Sequence, residues 1–345
     1  MGVPEEAGAR VRARTIAWVS ALSLGFAGRP ALVAAQTHLL IVSGLGGDPK
    51  FAGEFKTLGL SLASAAHQRY GLPDSEIVLL AEDTTKGGGR ITARSTKEEI
   101  ERALERFRAR AGASDQLVVV LIGHGSPEGA DSKISLPGPD MTAADFARDL
   151  AKWSTQRIAF VNATSASGDF LPVLSAPNRV VITATKSSFE RNESVFATHF
   201  VEALTKDGAD TDKDGRVSLL EAFQYATAET KRNYEQESKL QTEHAQLDDD
   251  GDHKGSQDPD GKGEGLLARR FFLDTPGAVA RGGSPGDVQL AALYKDKSNL
   301  EERIDALKKK KTSMTEDAYD DALEELLVQL ARKSVSIRQL EGRSQ

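Results

Sequence analysis

The sequence predicts the α/β class: a mostly parallel sheet with helices on both faces, followed by a C-terminal helical hairpin. Three observations carry this. Apolar runs of strand length recur between residues 38 and 183, separated by amphipathic segments of helix length. The runs are almost continuous in Leu, Ile and Val, the pattern of strands buried on both faces. Beyond a Pro/Gly-rich stretch at 274–287 the pattern changes to long, charge-dense helices.

In order, 38–43 (HLLIVS) is a buried strand by length and composition. Residues 51–70 follow as a helix, with Phe55, Leu58, Leu62 and Ala65 at helical spacing and Gly71 as its stop. Residues 77–80 form the second strand, and a Gly-rich loop follows at 87–89. A helix over 95–110 opens with Ser95 and Glu98 as a capping box. Further strands are expected at 117–122, 158–162 and 180–183, with helices at 142–153, 194–205 and 219–237.

Residues 288–311 and 315–340 carry Leu293, Leu300, Ile304 and Leu307, then Leu323, Leu326, Leu327, Leu330 and Ile337, at three- and four-residue spacings. Two such helices make a hairpin or coiled-coil arm within 288–345, which either binds a partner or a second copy, or folds back on its own domain. Each is too short to be stable alone, so both readings require a docking surface.

At the other end, Arg10, Arg12 and Arg14 precede an apolar run broken by Arg29-Pro30, and small residues lead to Ala35. This is the layout of a signal peptide over 1–35, with an apolar stretch short of the roughly 20 residues of a span. The expected mature chain is secreted or periplasmic, without a membrane segment, and its principal domain covers 36–273. The net charge of −7 gives no footprint for nucleic acid. Cysteine is absent, which excludes disulfides, thiolate metal sites and a thiol nucleophile.

In an open parallel sheet, sites collect at the carboxyl ends of strands. Strand 117–122 runs into Gly123-His124-Gly125-Ser126, and strand 158–162 into Ala163-Thr164-Ser165-Ala166-Ser167-Gly168. A histidine between glycines beside a hydroxyl-bearing loop suits a nucleophile and general-base pair. Equally, it suits a structural turn and a polar helix cap.

Four blocks, HLLIVSGLGG, YGLPDSEIVLLAED, VVVLIGHGS and VVITATKSSFERNES, stand in the order and spacing of the legumain-type cysteine peptidases, relatives of caspases and gingipains. Residues 37–204 resemble that family, and the resemblance implies a caspase-like fold. It makes His124 the general base and Gly125 an oxyanion-hole donor, and it places Ser165 where the family has its cysteine. Thr164 is the alternative if the alignment moves by one.

A serine hydroxyl needs a well-aligned base and oriented dipoles to attack, whereas a thiol ionises readily. The favoured expectation is therefore a pseudo-peptidase that binds peptide or protein, the alternative an active hydrolase using Ser165 and His124. The family's asparagine-recognising segment is matched here by Lys50-Phe51-Ala52-Gly53, without its Arg and His, so that specificity is not carried over. Arg191 and Glu193 fall in the matching cleft loop, either as ligand contacts or as a mutual ion pair.

Residues 210–221 fit the twelve-residue EF-hand loop. Asp210, Asp212, Asp214 and Ser218 offer side-chain oxygens, Arg216 its carbonyl, Gly215 the sharp turn and Glu221 the final carboxylate. Calcium is the cofactor expected there, as a structural ion. The acidic run at 248–260 lacks the Gly and Glu of that pattern; it is a candidate for another ion, and otherwise reads as a solvated loop that calcium could order. His244 and His253 show no zinc spacing.

Overall fold

The computed structural model describes residues 1–2, 35–85, 87–128, 131–153, 156–212, 216–261, 263–274 and 285–341. The expected signal peptide lies almost wholly outside them. Among the described residues, no helix is long and apolar enough to cross a membrane.

The body is an α/β sandwich on a seven-stranded sheet. Its strands are β1 (Thr37–Ser43), β2 (Ile77–Ala81), β3 (Ala93–Arg94), β4 (Gln116–Ile122), β8 (Arg157–Asn162), β9 (Arg179–Thr183) and β10 (Gln246–Asp248). They lie in the order β10-β9-β8-β4-β1-β2-β3, all parallel except the β10–β9 pair. The continuous apolar runs are explained directly. In β1, Leu39 and Ile41 enter one core while Leu40 and Val42 enter the other.

The first core is closed by α1 (Pro49–Gln68), α5 (Phe196–Thr205) and α6 (Leu219–Gln236), the second by α2 (Lys97–Arg108), α3 (Ala143–Leu150) and α4 (Phe170–Leu174). Phe55 and Leu62 of α1 face inward at helical spacing, as do Ile100, Leu104 and Phe107 of α2.

The start of α2 differs from expectation. The Ser95 N–H donates to the Ala81 carbonyl at 3.0 Å, which keeps the chain extended for one residue more. Thr96, not Ser95, is the cap, and its hydroxyl accepts from the Glu99 N–H.

A second sheet joins β5 (Gly125–Glu128), β6 (Asp131–Ile134) and β7 (Met141–Thr142), all antiparallel. Its strands are short, polar and interrupted by Pro127, so they carry no strand pattern in the sequence.

The C-terminal helices are α7 (Pro285–Lys309) and α8 (Glu316–Glu341), packed along Leu300, Ile304 and Leu326. Lys297, Ile304, Lys308 and Leu327 of this hairpin line a cleft of about 440 Å³ together with Arg216 and Phe272 of the body.

Candidate functional site

The tips of β1, β4 and β8 meet at Gly44, at the Gly123-His124-Gly125 turn and at Thr164-Ser165. Two backbone devices hold the turn: the Gly44 N–H donates to Ile122 O at 2.8 Å, and the Ser135 N–H to His124 O at 3.0 Å.

Gly125 and Ser165 are in direct contact. The Gly125 N–H donates to Ser165 Oγ at 3.2 Å, and Ser165 Oγ donates to the Gly125 carbonyl at 3.3 Å. The approach requires glycine, because a Cβ at 125 would stand 2.1 Å from the Ser165 carbonyl oxygen. Ser165 is only 2% exposed. Behind it Ala166 takes a left-handed φ of 52°, and its N–H is spent on the Glu190 carbonyl at 2.8 Å. Thr164 is fully buried, with Oγ1 donating to Asn162 Oδ1 at 2.7 Å.

His124 packs through its ring. The ring centroids of Phe51 and Phe55 from α1 lie 4.9 and 5.0 Å from that of His124, with the ring planes nearly perpendicular. Among the described residues no hydrogen bond joins this ring to Ser165, and no carboxylate orients it. The structure thus brings Gly125 and Ser165 together and leaves His124 packed against two phenyl rings beside them. Asp169 secures the surrounding loops, accepting from Ser132 Oγ at 3.3 Å and from the Ser188 N–H at 3.3 Å.

Arg191 and Glu193 do not pair with each other among the described residues. Arg191 Nε donates to the Ser188 carbonyl and its guanidinium lies 6.0 Å from the ring of the exposed Phe189. Glu193 instead lines an open cleft of about 540 Å³ with Lys50, Glu54, Phe55 and Thr198, so the cleft opens beside an aromatic that touches His124.

Glu243 carries a role with no signal in the sequence. Helix α5 has no side-chain cap of its own. The carboxylate of Glu243, from 47 residues beyond, accepts from Ser194 Oγ at 2.8 Å, the Val195 N–H at 2.9 Å and the Phe196 N–H at 3.4 Å. Burial pushes its carboxyl above the ordinary range against those donors. Nearby, His244 Nδ1 meets Glu190 Oε1 at 2.6 Å, and His253 Nδ1 meets the Pro172 carbonyl at 2.9 Å, so neither histidine lies in a ligand cluster.

Two acidic groups among the described residues can hold a metal ion. In the first, Asp210, Asp212 and Glu221 bring carboxylate oxygens within 4.8 Å of one another. Glu221 also closes the loop on itself: Oε1 accepts from the Thr211 and Asp212 N–H groups, and Oε2 from Ser218 N and Oγ in a capping box that starts α6. Arg216 aims its guanidinium at Asp274, 2.9 Å away. Asp214 lies outside the described residues.

The second group is Asp248, Asp250 and Glu264. It agrees with the expectation of a candidate ion group in this run and corrects the solvated-loop reading at its start, because the run begins on β10 with Asp248 and Asp249 buried. Asp249 accepts from the N–H groups of Gly265, Leu267 and Ala268 at 2.7–2.8 Å. Such burial follows from pairing, which a list of acidic letters does not reveal.

The chain matches no family model, and no curated protein matches it.

Proposed function

We propose that this chain is a secreted or periplasmic protein of the legumain/caspase-like peptidase fold that has lost its nucleophile and binds peptide or protein in the cleft between α1 and the start of α5, beside the His124 turn. The observation that carries this reading is the closed state of Ser165. Its hydroxyl is buried and exchanged with both polar groups of Gly125, with no hydrogen bond to His124. A serine nucleophile needs the opposite arrangement, a base taking its proton and free N–H groups around the oxyanion. Gly125 N–H is instead occupied by the hydroxyl itself.

The open cleft beside Phe55 and Glu193 offers an apolar wall and charged rims, suited to an extended peptide. Calcium is the ion proposed for the 210–221 loop, where hard carboxylate oxygens and the twelve-residue spacing match its preferences. There it ties the entry of α6 to the end of α5.

The test is a fluorogenic peptide and ester library with calcium present, run on the native protein and on Ser165→Ala and Ser165→Cys. The expected result is no turnover by the native protein and saturable binding of a subset of peptides that survives Ser165→Ala. Turnover that vanishes in Ser165→Ala would instead establish a serine hydrolase.

A further inference from the structure

We infer that Asp248, Asp250 and Glu264 form a second calcium-type cation site, separate from the 210–221 loop, that fastens the edge strand β10 to the chain at 261–268. Asp248 is fully buried. Its Oδ1 takes the Gly251 N–H at 3.1 Å, while its Oδ2 has no hydrogen-bond partner among the described residues. A buried carboxylate oxygen without a donor is costly, and the remedy is a proton or a cation. One oxygen from each of Asp248, Asp250 and Glu264 lies within 4.8 Å of the other two. Two oxygens bound to one calcium ion at about 2.4 Å lie at most about 4.8 Å apart, and all three pairs meet that bound.

The surroundings favour a cation. The ligand chemistry is all oxygen. Cysteine is absent from the chain and His253 is turned to the Pro172 carbonyl, so a hard divalent ion suits the group and zinc does not.

The acid that neighbours the cluster, Asp249, has another task, which preorganises it. Asp249 points its carboxylate at three N–H groups of 265–268, and its own N–H donates to Glu264 Oε2 at 3.2 Å. Glu264 is thereby delivered to Asp248 and Asp250 from a separate segment. Because the ligands come from two segments, the ion acts as a clamp on the sheet edge.

The experiment titrates chelator-stripped full-length protein with calcium chloride by calorimetry. The native protein is expected to take two ions, and Asp250→Asn, Glu264→Gln and Glu221→Gln one each. Asp250 is exposed, so its variant keeps the fold, which circular dichroism checks. A single ion that persists in Asp250→Asn and Glu264→Gln overturns the inference. A single ion lost in those two variants but kept in Glu221→Gln supports it and removes calcium from the 210–221 loop instead. No uptake at millimolar calcium overturns both.

Discussion

Replacing Gly125 with alanine is the sharpest perturbation of the strand tips. The new Cβ would stand 2.1 Å from the Ser165 carbonyl oxygen and 2.8 Å from Thr164 Oγ1, where ordinary contacts begin at 3.4 Å. The tips of β4 and β8 must therefore separate by more than an ångström, in a region where Thr164 and Ser165 are buried and hydrogen-bonded. Overpacking of this kind costs about 1–3 kcal/mol. Loss of the paired contacts between Gly125 and Ser165 Oγ adds about 1 kcal/mol.

A total of about 2–4 kcal/mol is expected, read from urea unfolding as a lower midpoint at constant slope. Gly53→Ala is the matched control, since Gly53 lies inside α1 with nothing within 4 Å of a built Cβ. There the substitution should stabilise by about 0.5–1 kcal/mol through helix propensity. A loss below about 1 kcal/mol for Gly125→Ala would refute the claim that the two tips are locked together.

Glu243→Ala strips three donors at the start of α5 of their acceptor and should cost about 2–3 kcal/mol in the same assay. Asp145 caps α3, and although burial opposes its ionisation, Lys97, the Thr142 N–H and Arg148 lower its carboxyl from 3.8 to about 2. Its folded pKa is depressed, so its stabilisation is present above pH 3.8 and disappears as pH falls through about 2. Discounted for solvent screening this is about 1–2 kcal/mol, and Asp145→Asn should flatten acid unfolding over that window. Chelation should lower the melting temperature: one ion at about one hundred times its Kd contributes about 2.7 kcal/mol, and an unchanged melting temperature would mean that no ion is bound.

The five inner strands of the main sheet were legible because burial on both faces leaves an unbroken apolar run, as in residues 117–122, which the structure extends by one residue to Gln116–Ile122, whereas the two- and three-residue edge strands β3 and β10 carry no such run. The helices were legible by their spacing, with the slip at α2 arising because Ser95 is held by a hydrogen bond to Ala81 from another strand. The 210–221 loop was visible because its carboxylates lie within a dozen residues. The β5–β7 sheet was invisible, since its short polar strands are held by pairing alone. Equally hidden was Glu243, whose partners at 194–196 depend on the packing of α5.

What the sequence determined by itself was whatever depends on local periodicity and short spacing: the α/β class, the order of the longer strands and helices, the absence of a thiol and the acidic loop before α6. The tertiary structure alone decided which polar groups meet. Ser165 closes on Gly125 while His124 packs against Phe51 and Phe55, and Asp248 meets Glu264 across sixteen residues. The division has one physical cause: burial patterns repeat along the chain and can be counted, whereas a hydrogen bond or ion site needs atoms placed within about 3 Å, which only the packing of separate elements achieves.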